Sequence, residues 1–491
     1  MHEHFLLRRL LQEISKIYFM LTDQNFIVFV GNAGSFGNGQ GYTSKQQIDD
    51  LVDNIINSAK SSVSLHFHGG LVGRESGLEG ARSFVNYMQN TDSYPVCFIW
   101  ETDFVTTLKQ RLLTINKSPF FKKILLKALK KFAERYVPAI NSRGGKNNIS
   151  EQWLQEEMSK EIPFSSWNPG GVSSSRGLLN DKEFERGEWS VIQEIKDELE
   201  NDPDIELEQL VKEYNKTDAG SPGSRSILSL TSTIISIGRI IWRSIKRFHY
   251  DRDHGFYPTV VEEVLREFYI GEIGAEFWGL MKDKAVDMWN KTDDEKNVAS
   301  YFMNSLINKM NGATNLKVNL IGHSAGSIAV LEGYRSFFNC NHSNLIKEII
   351  FIAPACRFDL MKDVMKVTSP LHGRWSIFGL SDEREKLDIM IPILYPQSLL
   401  YFVSGLFETE EDGDSDDVYI LGMERFWKKH SVFENDALIK EVKNLFSFQP
   451  HGTAFAAALG ETLGRRTDGL RHGQIDDDEI TKESIQYLIS N

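Results

Sequence analysis

The residues best suited to chemistry are Gly322-His323-Ser324-Ala325-Gly326, which lie between an apolar, strand-like run at 316–321 and a helix-forming stretch. A serine aimed out of a sharp strand-to-helix turn adopts a strained backbone conformation, and side chains two positions before and after it would collide. Glycine avoids that collision because it has no Cβ atom. The spacing therefore predicts that Ser324 is a nucleophile.

A second motif, His66-Phe67-His68-Gly69-Gly70-Leu71, ends another apolar run well before the serine. The two motifs together resemble the α/β-hydrolase superfamily, in particular its lipases and esterases. In those enzymes a His-Gly-Gly motif and the residue after the nucleophile supply backbone N–H groups to the oxyanion. The resemblance covers residues 25–104 and 296–460 and implies these oxyanion donors: Gly69, Gly70, Leu71 and Ala325.

Serine catalysis also needs a histidine base. The histidines that follow Ser324 are His342, His372, His430, His451 and His472. His451 lies in an irregular turn between an apolar run and a small-residue helix, and it is the predicted base. His430 ends a basic, helix-like segment and is the alternative base. His472 lies among Arg471, Gly473 and Asp476, which indicates a surface position.

The third requirement is an acid that orients the histidine, and the α/β-hydrolase chain order places it between the serine and the histidine. Glu408 follows the apolar run 399–407, interpreted as a strand, in a pattern that resembles the acid loop of these enzymes, and it is the predicted acid. An equal alternative is that Glu408 is the first solvated charge of the acidic tract 408–417. Asp359 is the alternative acid, and Asp382 is a weaker candidate.

Cofactor and metal motifs are incomplete. His66 and His68 could share one face of a strand and bind a metal, but no carboxylate or third histidine follows nearby. The glycine-rich segment 31–41 lacks both the Gly-Lys-Ser/Thr ending of a phosphate loop and the G-x-G-x-x-G spacing. We therefore expect no metal and no cofactor.

The order of apolar and helical segments predicts an α/β fold, with a mostly parallel α/β-hydrolase sheet flanked by helices. Strands buried on both faces of a parallel sheet are continuous apolar runs. Such runs occur at 25–34, 62–70, 95–101, 316–321, 347–353, 398–404 and 418–423.

A long charged region with a helical pattern separates the two groups of strands. Loops of that length are rarely without structure inside a compact domain, so we predict a large helical insertion that forms a cap or lid. The predicted organisation is an N-terminal amphipathic helix at 1–24, the first half of the core at 25–104, the insertion at 105–295, and the second half of the core at 296–491.

Composition excludes several classes of protein. The 491 residues are 41% hydrophobic and 25% charged, as in soluble globular proteins, and the net charge of -13 argues against nucleic acid as a partner. Three scattered cysteines cannot form a disulfide framework, which favours a reducing, cytoplasmic location. The most apolar later stretch, 227–242, contains Arg239 and is shorter than the ~20 residues of a membrane span.

Two basic amphipathic segments, 120–135 and 239–247, are compatible with peripheral contact to an anionic membrane, although such helices more often pack on their own domain. We expect a serine hydrolase that cleaves a small-molecule or lipid-like carboxylic ester through an acyl-enzyme. The alternatives are a non-catalytic hydrolase-fold protein that binds a partner or membrane, and a serine peptidase or thioesterase.

Overall fold

The structure of this protein is a computed structural model. The residues that the structure describes are 23–37, 41–70, 73–100, 104–136, 149–165, 187–201, 204–218, 228–273, 275–290, 296–310, 315–408, 418–447, 452–456, 459 and 461–491. The predicted N-terminal helix at 1–24 lies almost wholly outside them.

A parallel β-sheet forms the centre of the fold. In the described part of the chain it has seven strands in the order β1-β3-β2-β4-β5-β6-β7, and every neighbouring pair is parallel. The strands are β1 Ile27–Val30, β2 Ser62–Phe67, β3 Ser93–Trp100, β4 Lys317–His323, β5 Ile346–Ile352, β6 Arg374–Gly379 and β7 Gly452–Phe455. Every residue of β2 and β3 is buried, as expected for strands covered on both faces.

Helices alternate with the strands and also form a large region between β3 and β4. They are Lys45–Asn57, Arg74–Met88, Phe104–Lys117, Pro119–Tyr136, Glu151–Met158, Gly187–Asn201, Ile205–Asp218, Leu230–His249, Phe256–Ile273, Ala275–Asp287, Val298–Met310, Gly326–Asn339, Phe358–Val367, Asp382–Leu387, Leu399–Phe402, Ala437–Ser447 and Glu479–Ser490. The α/β class with a parallel sheet and a helical insertion is therefore confirmed.

The chain divides into two compact units. The described residues within 1–105, 279–384 and 419–491 form the first, which contains the sheet. Those within 106–278 and 385–418 form the second, which is helical. None of the helices in the described ranges combines the length and apolar character that crossing a bilayer requires.

The basic helix Pro119–Tyr136 packs inside the second unit. Its apolar face is buried, and Lys123 and Lys127 both contact Asp204, at 3.1 and 2.6 Å. In the second basic segment, Arg243 lies 2.9 Å from Glu267. Lys123, Lys127 and Arg243 are therefore paired with carboxylates of the protein itself. Contact of the two basic segments with an anionic membrane stays a prediction.

Two of the predicted strands are wrong. The run at 398–404 is helical, because Ser398 caps the helix Leu399–Phe402, and a short apolar run has no periodicity that separates strand from helix. The run at 418–423 contributes only an isolated bridge between Ile420 and Arg357. The last two strands are instead β6, which is preceded by a polar turn, and β7, which is only four residues long.

Candidate active site

The candidate site lies at the point where the order of the strands reverses. From β2 the chain continues to β3 on one side, and from β4 it continues to β5 on the other. Phe67 pairs with Gly322 at the ends of β2 and β4, so the residues that follow these two strands meet at one edge of the sheet. Parallel α/β sheets bind ligands in the crevice at such a switch point.

Ser324 occupies a strained turn directly after β4. Its φ angle is 52°, in the left-handed region, which costs a non-glycine residue about 1–3 kcal/mol. The surroundings hold this conformation. The Ser324 N–H donates to the carbonyl of Ile352 at 2.8 Å, and the Ser324 carbonyl accepts from the N–H groups of Ser327 and Ala355 at 3.1 and 3.0 Å. These backbone hydrogen bonds at the edge of the sheet therefore fix the direction of the Ser324 side chain.

The glycines on either side of Ser324 are required by close backbone contacts. A Cβ atom added to Gly326 would lie 2.1 Å from the carbonyl oxygen of Phe67, and one added to Gly322 would lie 2.6 Å from the carbonyl oxygen of Gly326. Both contacts are far shorter than van der Waals distance and involve backbone, which cannot move aside cheaply. The contact at Gly322 is the collision that the glycine spacing predicts, whereas the contact at Gly326 is with the neighbouring strand β2.

Replacing Ser324 by glycine is expected to stabilise the protein, because glycine adopts a positive φ without strain. Part of the gain is offset by the greater entropy of glycine in the unfolded chain, so we expect the free energy of unfolding to rise by about 1 kcal/mol. Thermal unfolding of Ser324→Gly should have a midpoint about 2 °C above that of Ser324→Ala, which keeps the Cβ. A lower midpoint for the glycine variant would contradict the strain.

The histidine beside the serine is His472. Its Nε2 lies 2.9 Å from Ser324 Oγ, and the two side chains are buried, with residue exposures of 4% and 5%. The prediction that His472 lies at the surface is wrong. Its neighbours Arg471 and Gly473 are exposed, but His472 begins the short 3-10 turn His472–Gln474 and turns inward.

The electrostatics keep His472 neutral. Burial and, to a smaller extent, the neighbouring His323 lower its pKa to about 3 against the opposing charge of Asp476. A neutral imidazole can accept the hydroxyl proton of Ser324 through Nε2, which is the role of a general base.

A second imidazole and a carboxylate lie beside this pair. His323 Nδ1 is 3.2 Å from Asp476 Oδ2, and His323 Nε2 is 3.0 Å from the backbone carbonyl of His472. Burial raises the pKa of Asp476, but the facing His323 outweighs it and holds that pKa at about 2. Asp476 is thus an ionised acid close to the candidate base.

The predicted acids have contacts of their own. Glu408 belongs to the second unit, where the Trp278 indole N–H donates to its Oε1 at 2.7 Å. Since Glu408 is only 2% exposed, its interpretation as a solvated charge is wrong. Asp359 pairs with Arg357, whose Nε lies 2.9 and 3.0 Å from its two oxygens. The charges that shift the pKa of His472 come from His323 and Asp476.

The predicted bases have different outcomes. His451 lies outside the residues that the structure describes. The side chain of His430 is 92% exposed and lies 3.8 Å from Glu434, whereas Ser324 is buried. The sequence signal for His472 and Asp476 is their His-x-x-x-Asp spacing near the C-terminus. The expected chain order, however, placed the acid before the histidine.

His68 fixes the first part of the glycine motif. The Trp100 backbone N–H donates to His68 Nε2 at 3.1 Å, so Nδ1 carries the hydrogen and donates to the Gly69 carbonyl at 2.6 Å. The C=O and N–H groups of a trans peptide point in opposite directions. The bond from His68 to the Gly69 carbonyl therefore also sets the direction of the Gly70 N–H.

The glycines lie directly against the serine turn. A Cβ atom added to Gly69 would lie 3.2 Å from Ser324 Cβ, and one added to Gly70 would lie 2.7 Å from Ala325 Cβ and 1.8 Å from Met281 Sδ. Three of the four predicted oxyanion residues, Gly69, Gly70 and Ala325, are therefore adjacent to Ser324 in space. Leu71, the fourth, lies outside the described residues.

Replacing Gly70 by alanine is expected to lower kcat by about 100-fold, the size of effect seen when an oxyanion donor is displaced. The flexible Met281 side chain can move, but the Ala325 Cβ moves only with the serine turn. Gly80→Ala is the matched control, because a Cβ there meets nothing within 4 Å. Esterase kinetics of both variants check this, and equal rates would contradict a role for Gly70.

The other histidine of the motif, His66, has a structural contact. The His66 ring stacks on Phe84 with centroids 4.4 Å apart. Burial lowers the pKa values of His66 and His68 to about 3 and about 4, so both are neutral at pH 7. In the part of the chain that the structure describes, no group of three or more His, Cys, Asp and Glu residues could hold a metal ion.

No family model matches this chain, and neither a curated protein nor a solved structure has significant similarity to it. A functional proposal therefore has to be argued from the chemistry of the site.

Proposed function

We propose that this protein is a serine hydrolase with an α/β-hydrolase fold that cleaves carboxylic esters through an acyl-enzyme intermediate. The observation that carries the proposal is the 2.9 Å distance from Ser324 Oγ to His472 Nε2, at a serine whose φ is 52° on a turn between a strand and a helix. A nucleophile on a strained turn, hydrogen-bonded to a neutral imidazole, is the arrangement that activates serine.

The geometry supports a two-step reaction. Ser324 Oγ attacks the ester carbonyl while its proton passes to His472 Nε2, and the backbone N–H groups of Ala325 and Gly70 stabilise the resulting oxyanion. The imidazolium of His472 then protonates the leaving alcohol, and the acyl-enzyme forms. Water repeats the sequence on the acyl-enzyme, which releases the acid and restores Ser324. Asp476 supplies the negative charge that stabilises the imidazolium in both steps.

An apolar wall supports a lipid-like ester. Met281 is 4% exposed, and both Met281 and Ala325 lie directly against Gly70. Apolar side chains beside the oxyanion donors favour an acyl group over a charged or strongly polar one. Peptides and thioesters are the alternative substrates, because the same serine chemistry acts on both.

Labelling with a fluorophosphonate tests the proposal. The probe should modify the native protein, and tandem mass spectrometry should place the adduct on Ser324 in the tryptic peptide 318–335, which also contains Ser327. Prior heat denaturation should abolish labelling. Absence of an adduct on Ser324 with and without added lipid vesicles would favour the alternative of a non-catalytic protein that uses the hydrolase scaffold for binding. Turnover of a library of aliphatic esters, thioesters and peptides then defines the substrate class.

The low pKa of His472 predicts activity at mildly acidic pH. The base must be neutral, and with a pKa of about 3 it loses its neutral form only as the pH falls through that value. We expect kcat/KM at about pH 5 to exceed half of its value at about pH 6.5, whereas a histidine with the ordinary pKa of about 6.5 would be mostly protonated there. Circular dichroism at both pH values controls for unfolding, and a decrease of more than about tenfold in the folded protein would refute it.

A further inference from the structure

His323, the residue directly before the candidate nucleophile, contacts the segment that carries the candidate base. We propose that His323 is a positioning residue: clamped between Asp476 and the backbone carbonyl of His472, it fixes the main chain of His472 and so the aim of that imidazole at Ser324. The inference rests on the proposed function and deepens it, because it assigns a role within the same site to a residue outside the serine–histidine pair.

The two sides of the clamp differ in how they are held. His323 ends β4, whose pairing with β2 and β5 fixes its backbone in the centre of the sheet. His472 belongs to a 3-10 turn of only three residues, with exposed neighbours on both sides. The bond from His323 Nε2 to the His472 carbonyl, across 149 residues of sequence, joins the turn to the sheet.

The partners of His323 require two N–H donors. Nε2 faces a carbonyl oxygen, which only accepts, so Nε2 must donate. Nδ1 faces the carboxylate of Asp476 at 3.2 Å, which is also an acceptor. A neutral imidazole has one N–H and would lose one of these bonds, whereas the imidazolium satisfies both.

The surroundings favour that imidazolium. Burial lowers the pKa of His323, but the charge and hydrogen bond of Asp476, the bond to the His472 carbonyl and the charge of Asp477 together raise it above 6.5. The other titratable groups that face it are His472, His66 and His68, whose own pKa values are lowered, so they stay neutral. Because the folded-state pKa is raised, the clamp is complete below about pH 6.5 and is lost as the pH rises through the folded-state pKa of His323.

Kinetics of His323→Ala, His323→Gln, Asp476→Asn and the double variant His323→Ala/Asp476→Asn test the proposal on a soluble short-chain ester. We expect His323→Ala to lower kcat by about 10–100-fold with KM changed by less than about twofold, because positioning acts on the reacting geometry and not on substrate binding. Asp476→Asn should cost much less in the His323→Ala background than in the wild type. An Asp476 effect of equal size in both backgrounds would mean that Asp476 acts only through its charge on His472, without His323, and would overturn the clamp.

The glutamine variant separates positioning from general damage. Its amide N–H can still donate to the His472 carbonyl, so we expect His323→Gln to retain kcat within about fivefold of the wild type. Since glutamine does not titrate, the decline of wild-type kcat above the raised pKa of His323 should disappear in this variant. An unchanged alkaline decline in His323→Gln would assign it to another group and contradict the proposal.

A readout without turnover keeps the proposal separate from the proposed function. Hydrogen exchange followed by mass spectrometry should show faster exchange in the segment 471–478 for His323→Ala, with His430→Gln, an exposed histidine, as the control that leaves exchange unchanged. Faster exchange in a protein that the fluorophosphonate does not label would support the clamp proposal and contradict the proposed hydrolase function. Normal exchange and normal kcat in His323→Ala, with Ser324 labelled in the wild type, would reject the clamp and retain the hydrolase.

Discussion

Ser324→Ala is expected to lower kcat for ester hydrolysis by about 10⁶-fold and to abolish fluorophosphonate labelling of the peptide 318–335, because it removes the hydroxyl that we propose as the nucleophile. The fold should be retained, since alanine keeps the Cβ and the backbone bonds that hold the turn. Steady-state kinetics with the best ester from the library, together with mass spectrometry of the labelled peptide, measure both effects.

Ser327→Ala is the matched control on the same peptide. Ser327 Oγ donates to the Ser324 carbonyl at 2.6 Å and accepts from the Cys356 N–H at 3.1 Å, so its loss removes two buried hydrogen bonds. We expect the free energy of unfolding to fall by about 1–3 kcal/mol while the probe still labels Ser324. Labelling that depended on Ser327 and not on Ser324 would show that the nucleophile had been misassigned.

His472→Ala is expected to lower kcat by about 10⁴–10⁶-fold, since it removes the imidazole that we propose as the base for the Ser324 proton. The effect should appear in kcat more than in KM, because the base acts in the transition state and not in substrate binding. Circular dichroism and the thermal midpoint establish that the variant is folded.

His451→Ala is the control that separates the two candidate bases. It replaces the histidine that the sequence favours, and we expect kcat to stay within about tenfold of the wild type. If His451→Ala is inactive while His472→Ala retains activity, the 2.9 Å contact between His472 and Ser324 does not represent the catalytic base.

The serine turn was predictable because one of its causes is local. Gly322 is required by its contact with the Gly326 carbonyl, which arises once a strand, a tight turn and a helix follow one another, whereas the contact of Gly326 with Phe67 comes from the neighbouring strand β2. The α/β class was also predictable, since strands buried on both faces are visible as apolar runs such as 62–67. The short strands β6 and β7 were not, because a polar boundary or a length of four residues leaves no such run.

The pairing of Ser324 with His472, and of His323 with Asp476, was not predicted for a different reason. The expected chain order is nucleophile, acid, histidine, which places the acid before the histidine. Asp476 instead follows His472 by four residues. Exposed neighbours made His472 resemble a surface residue, although its own side chain is buried. Burial of a single side chain in an irregular segment has no signature in composition or periodicity.

The sequence by itself determined the fold class and the serine that is presented for chemistry, because steric exclusion around a few consecutive residues acts wherever that segment folds. Only the tertiary structure decided which histidine stands beside Ser324 and which carboxylate stands beside His323. His472 is 148 residues away in the chain, and its approach depends on how the C-terminal segment packs against the ends of β2 and β4. Contacts between distant segments come from the packing of the whole sheet edge, and no short run of residues specifies them.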